Sequence, residues 1–276
     1  MNIISIDLPW NPDKEGRTAL AIADLDRNIK VKRANGEDEM LCLIREYMVQ
    51  KSLILLDIPI EGCEELIKKD EHFRPVDKAL LGKISIQPTR YKDEDKNKYL
   101  GRGKQLKKNI KTICQGKNVV VHEIYPYAVY KFLAYLKDKE LLHHLGQDRF
   151  EKLLNDEFRT YPRRNLNLPR KYKREKDWAR RQESMEFLYL LLTDSSLGLR
   201  FPLHHPNTCR TFSQLDRLCD EYDACLGAIV GIYWAKRKSK YVCLAGNPQE
   251  GEILLLADQW LETELKKKKV AAKRAQ

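Results

Sequence analysis

Asp7, Asp57 and Glu123 each close an apolar run and each precede a proline by two or three residues. The runs are Ile3-Ile4-Ser5-Ile6-Asp7-Leu8-Pro9, Leu53-Ile54-Leu55-Leu56-Asp57-Ile58-Pro59 and Val119-Val120-Val121-His122-Glu123-Ile124-Tyr125-Pro126. Each has the length and branched-chain content of a buried strand. Proline cannot donate to a central ladder, so each proline marks where a strand stops. The three acids therefore stand at strand C-termini, the edge at which open α/β sheets bind ligands. Two more, Asp220 and Asp223, are three residues apart in Asp220-Glu221-Tyr222-Asp223-Ala224. On a helix they share one face, with about 5–6 Å between their Cβ atoms. Carboxylates gathered from separate elements repel and raise one another's pKa, and a divalent cation relieves that. Mg²⁺ and Mn²⁺ take oxygen ligands from a few carboxylates and from substrate phosphates. Two such ions about 3.5–4 Å apart activate water and stabilise the leaving oxygen of a phosphodiester. This chemistry needs neither a Ser nor a Cys nucleophile.

The elements that must position these acids follow a simple order. Residues 2–8 read as a strand, 18–25 and 29–33 as two more joined by a hairpin-sized break at Asp26-Arg27-Asn28. Helical spacing follows at Met40, Leu41, Ile44 and Met48, then strands at 53–57 and 118–123. Helices are expected at 127–136 and 148–155, in a segment ending near Leu192, and at 213–237. Ala224, Gly227, Ala228 and Gly231 give the last helix a small-residue surface suited to tight packing on a sheet. Short apolar runs at 241–244 and 253–256 flank a Gly246-Asn247-Pro248 turn. Hairpins are antiparallel, and a strand reached through a helix is parallel, so the expected fold is α/β with a mixed five-stranded sheet flanked by helices. A single domain is expected over 1–276, with insertions at about 61–117 and 138–212 and a basic frayed tail at 265–276.

With 276 residues the chain can bury a sizeable core. Its formal net charge is +11, a footprint of polyanion partners, most often nucleic acid, although basic charge also serves solubility. The cations cluster in two stretches. Residues 87–117 read as loop-rich and include Arg90, Lys104 and the cationic turn Gly101-Arg102-Gly103-Lys104; residues 159–181 include Arg163, Arg164, Lys173 and Arg174. With Tyr91, Tyr99 and Tyr172 interleaved, the two stretches suit a groove that tracks phosphates and stacks unpaired bases. As solvated faces they would do neither. The seven cysteines show no C-x-x-C pair, against a zinc knuckle and a disulfide framework. No apolar run approaches the ~18–20 residues of a membrane span. Met1 leads directly into a strand without the segments of a secretory leader, so a cytoplasmic protein is expected.

The order of a meander, a helix, an acid-ended strand, a later strand and a late acidic helix resembles the ribonuclease-H-like fold. More closely, Ile6-Asp7-Leu8-Pro9-Trp10-Asn11, Asp57-Ile58-Pro59-Ile60, Glu123-Ile124-Tyr125-Pro126, Asp220-Glu221-Tyr222-Asp223-Ala224 and Gly246-Asn247-Pro248-Gln249-Glu250-Gly251-Glu252-Ile253 resemble the family catalogued as domain of unknown function 429, a predicted nuclease family on that fold. The Asp-x-x-Asp-Ala phrase is also similar to that of RuvC-type junction resolvases. The resemblance implies a nuclease that hydrolyses DNA or RNA with Mg²⁺ or Mn²⁺. By position, Asp7, Asp57, Asp220 and Asp223 would be metal ligands, Glu123 would assist, and Arg74 would match an arginine expected after the fourth strand and would bind substrate.

Each residue also has a plainer role. Asp7 suits a turn cap, and Asp220 suits the first turns of a helix. Glu123 could orient His122 or a backbone amide instead of ligating a metal. Trp10 serves equally for stacking on a base or for core packing. His204 and His205 sit in a proline-flanked loop that could reach a site, but surface or capping roles are the favoured reading. Two other functions are open: a non-catalytic nucleic-acid-binding module on the same fold, and an actin-like-fold kinase or phosphotransferase. The kinase would need a duplicated domain and an Asp-x-Gly-x-Thr phrase that the first strand lacks.

Overall fold

The computed structural model describes residues 1–9, 17–62, 73–84, 101–145, 172–173, 175–236, 241–249, 251–257 and 262–263. Seven strands lie among them: β1 (Asn2–Asp7), β2 (Thr18–Ala23), β3 (Ile29–Ala34), β4 (Lys51–Leu56), β5 (Asn118–Ile124), β6 (Val242–Asn247) and β7 (Gly251–Leu256). They form one sheet in the order β3-β2-β1-β4-β5-β7-β6. The first three make an antiparallel meander. β4 lies parallel to β1, and β5 parallel to β4.

The expected five strands are therefore extended by two. β7 adds parallel to β5, and β6 pairs antiparallel with β7. Their turn depends on Gly246 at φ 87° and Gly251 at φ 96°, backbone conformations that favour glycine. A Cβ on Gly246 would lie 2.0 Å from the carbonyl oxygen of Gly251. Two short runs around a turn suggest a hairpin from sequence, but whether it joins the sheet depends on the edge that β5 leaves open.

The helices described are α1 (Glu37–Tyr47), α2 (Pro75–Ile84), α3 (Arg102–Ile113), α4 (Pro126–Asp138), α5 (Trp178–Leu192) and α6 (Phe212–Lys236). α3 corrects part of the loop expected over 87–117. Its buried stripe is only Gly103, Leu106 and Ile110, so lysines on the remaining positions hide the helical period. The expected helix at 148–155 lies outside the described residues.

Alternation along the strands sends side chains into two cores. Ile4, Ile6, Ile54 and Leu56 pack with Met40 and Ile44 of α1 and with Leu106 and Ile110 of α3. On the other face Ile3, Leu53, Leu55 and Ile124 pack with α4, α5 and α6. Residues 222–233 of α6 are buried on all sides, as expected of a helix between a sheet and other helices.

Glycine sets how closely α6 approaches the sheet. A Cβ on Gly227 would lie 2.0 Å from Ser5 Oγ, and one on Gly231 would lie 2.4 Å from Ile3 Cγ2. Moving two residues up β1, from Ile3 to Ser5, thus matches moving four residues back along α6. Two residues of strand rise about 6.6 Å and four of helix about 6.0 Å, so the register carries over one further step. That step pairs Asp7 at the end of β1 with Asp223.

Candidate metal centre

Three acids meet at that point. Asp7, Asp57 and Asp223 each offer a carboxylate oxygen, and these oxygens all lie within 4.8 Å of one another. In the β1–β4 register Ile6 is level with Leu56, so Asp7 and Asp57 are the next level pair, on the α6 face. Glu123 pairs with Leu56 and is thus one residue lower than the two aspartates. With a period of two, one residue turns a side chain to the opposite face. Glu123 is accordingly absent from the cluster. Its Oε2 accepts from the Ile60 backbone N–H at 2.9 Å and from Arg74 Nη1 at 2.7 Å.

Arg74 is 1% exposed and uses its whole guanidinium. Nε and Nη2 donate to Asp77 at 2.9 and 3.0 Å, Nη1 and Nη2 donate to Glu123, and Nη1 donates to the Glu61 carbonyl at 2.9 Å. Five N–H groups thus meet five acceptor contacts. Arg74, expected to contact substrate, is instead the buried tie between the β5 terminus and α2.

Asp220, the other helix acid, is answered by Arg17, whose Nε and Nη2 lie 3.4 Å from its two carboxylate oxygens. Sequence reasoning missed Arg17, which sits just before β2 and shows no motif. It also missed what Tyr172 and Lys173 do. The Tyr172 hydroxyl donates to Asp223 Oδ1 at 2.6 Å, with its ring buried against Tyr130 and Tyr127. The Lys173 ammonium is ion-paired with Asp223 Oδ2 and lies 3.4 Å from Asp7 Oδ2. Lys173, read as a phosphate contact, is thus seated among the acids.

The electrostatics follow from the crowding. Burial and then the Asp7 charge hold the Asp57 carboxyl well above the usual range, although the residue keeps partial exposure. Burial and the Asp7 charge push Asp220 up to about 8, against the pull of Lys173 and Arg17. Burial raises Asp223 to about 6 despite the adjoining Lys173. Burial alone would lower Lys173, but Asp223, Asp7, Asp57 and Asp220 together raise it well above its ordinary value. The folded chain holds these acids together against their mutual repulsion, as a cation-binding site must.

The donor set suits a hard cation. All three groups are carboxylates, and among the described residues no thiolate or imidazole joins the cluster. Mg²⁺–oxygen bonds of about 2.0–2.1 Å span oxygens up to about 4.2 Å apart, so small side-chain rotations close the set around one ion.

Beside the centre, α3 is fixed to both acid-bearing strand ends. Arg102 donates to the carbonyl of Pro9, two residues past Asp7. A Cβ on Gly103 would lie 1.9 Å from the carbonyl oxygen of Pro59, two residues past Asp57. From this anchor Lys104, Lys107, Lys108 and Lys111 run along one side of the helix and line a groove of about 850 Å³. Lys107 is ion-paired with Glu61 at 2.6 Å, while Lys104, Lys108 and Lys111 are exposed.

The two histidines take the surface and capping roles that their loop favours, His204 at the surface and His205 accepting from the Asn207 backbone N–H. His204 is 79% exposed and 3.8 Å from Glu221, and His205 Nε2 lies 2.9 Å from Glu186 Oε1. Trp10, Arg90, Arg163, Arg164 and Arg174 lie outside the described residues. Among the described residues no helix is long and apolar enough to cross a membrane. No family model, curated protein or solved structure matches the chain.

Proposed function

We propose that the protein is a divalent-metal-dependent nuclease on a ribonuclease-H-like fold. The observation that carries this reading is the convergence of Asp7, Asp57 and Asp223, from two parallel strands and a late helix, on one point at the sheet edge. The meander, helix, two further parallel strands and late acidic helix are in the order that the resemblance implies. Mg²⁺ or Mn²⁺ would be held by these three aspartates. Bound there, it would supply an acidified water and neutralise charge on a phosphodiester.

The chain's own groups do the rest. The Tyr172 hydroxyl fixes the orientation of Asp223 through Oδ1. Arg17 holds Asp220 at the border of the cluster. The exposed lysines of α3 attract the backbone of a nucleic acid and aim it toward the strand ends to which the helix is fixed. These lysines sit on one helix and are spaced along a single line, which favours tracking of a backbone over recognition of bases.

The test is cleavage of single-stranded, duplex and branched DNA and RNA by the purified chain with Mn²⁺. Cleavage is expected to stop with a chelator and to fall at least about 10³-fold in Asp7→Asn, the equivalent of several kcal/mol of lost charge stabilisation. Nucleic-acid binding unchanged by Asp7→Asn, with no substrate cleaved, would replace the enzyme by a binding module.

A further inference from the structure

Lys173 reaches the acid cluster from a segment that belongs to neither the sheet nor α6. Its side chain is 40% exposed, yet its ammonium end is ion-paired with Asp223 and sits 3.4 Å from Asp7. A surface lysine keeps its charge in water, whereas this one sets its charge against two buried carboxylates. Tyr172, the residue before it, is buried and donates to the other oxygen of Asp223. The Tyr172–Lys173 pair thus grips both oxygens of one carboxylate, and this fixes where the ammonium lies.

Charge balance then limits what else the cluster can hold. Asp7, Asp57 and Asp223 together carry three negative charges when ionised. One ammonium and one divalent cation supply three positive charges. Two divalent cations beside the same ammonium would leave a surplus of two against Asp7 and Asp223, whose side chains are 6% and 2% exposed and so have little water to screen it. Asp220 does not redress this, because Arg17 already sets a guanidinium against it.

We propose that the centre takes a single divalent cation, and that the Lys173 ammonium occupies the place of a second on Asp7 and Asp223. The proposal rests on the metal-dependent reading above and refines it. It gives Lys173 the part of a fixed cation that faces the scissile phosphate while the ion lies on the Asp57 side.

The experiment is a Mn²⁺ titration of the full chain, in which paramagnetic resonance of free Mn²⁺ counts bound ions. Wild type and Lys173→Arg, which keeps the charge, are expected to bind one ion per chain. Lys173→Met is expected to bind two, the first with at least about tenfold tighter affinity, because a positive charge has left the site. Lys173→Gln gives the same count where the methionine variant does not fold. Two ions in wild type, or one ion in both wild type and Lys173→Met, would overturn the single-ion arrangement while leaving metal dependence intact. No bound ion in wild type, with Asp57→Asn indistinguishable from it, would overturn the metal reading itself.

Discussion

Asp57→Asn is expected to abolish metal-dependent activity and at the same time stabilise the metal-free protein. Asp57 lies beside Asp7 and Asp223, and its carboxyl is held well above the usual range by burial and by those charges. An asparagine of nearly the same shape removes one repelling charge and still donates an amide N–H toward Asp7. A ligand to the ion goes with it, so cleavage is expected to fall at least about 10³-fold, by the same arithmetic as for Asp7→Asn.

The gain in stability depends on pH, and its sign is fixed. Asp223 at about 6 and Asp220 at about 8 lie above the ordinary aspartate value of about 3.9 in unfolded chains. Between those limits the folded state therefore binds more protons than the unfolded state. Metal-free wild type should lose stability as pH rises from about 4 to about 8. Lys173, raised above its ordinary value, contributes stability throughout this window and loses it only at higher pH. Asp57→Asn should flatten the decline, with a higher Tm than wild type at pH 8 and little difference at pH 5. Added Mn²⁺ should raise the wild-type Tm, more at pH 8 than at pH 5, and leave the variant unmoved. Thermal melts with and without Mn²⁺ check both halves. A buried structural aspartate would show the opposite, a lower Tm on substitution.

Arg74→Met is expected to have the largest effect on stability. The guanidinium binds Glu123, Asp77 and the Glu61 carbonyl, at 1% exposure. Removing it leaves two buried carboxylates without their cation, a loss of about 3–5 kcal/mol. At roughly 2–4 °C per kcal/mol for a chain of this size, the Tm should drop by roughly 6–20 °C. Arg74→Lys should recover little, because an ammonium cannot fork to two carboxylates. Glu123→Gln keeps the acceptor for Ile60 and should bind Mn²⁺ as wild type does. Loss of Mn²⁺ binding in Glu123→Gln would return Glu123 to the metal centre.

The difference between Glu123 and the two strand aspartates is written in the sequence. Asp7 and Asp57 stand two residues before Pro9 and Pro59, whereas Glu123 stands three before Pro126. If the prolines end the strands at one level, Glu123 is one residue low and faces the other core. The β4–β5 register has this offset. The pairing of Asp223 with Asp7 is equally legible, because Gly227 and Gly231 repeat every four residues from Asp223, as Ser5 and Ile3 repeat every two from Asp7.

Other features were hidden for physical reasons. Seven strands replace five because β7 docks on an edge that only the folded β5 exposes. α3 is concealed because its buried stripe is three residues wide among lysines. The roles of Arg17, Tyr172 and Lys173 depend on contacts across at least 50 residues of chain, and no local pattern encodes such contacts.

Anomalous scattering from a crystal of the chain grown with Mn²⁺ tests the central claim most directly. A Mn²⁺ peak bounded by carboxylate oxygens of Asp7, Asp57 and Asp223, with the Lys173 ammonium beside it, is the expected result. An empty cluster at saturating Mn²⁺, or an ion held elsewhere with these three aspartates untouched, would contradict it.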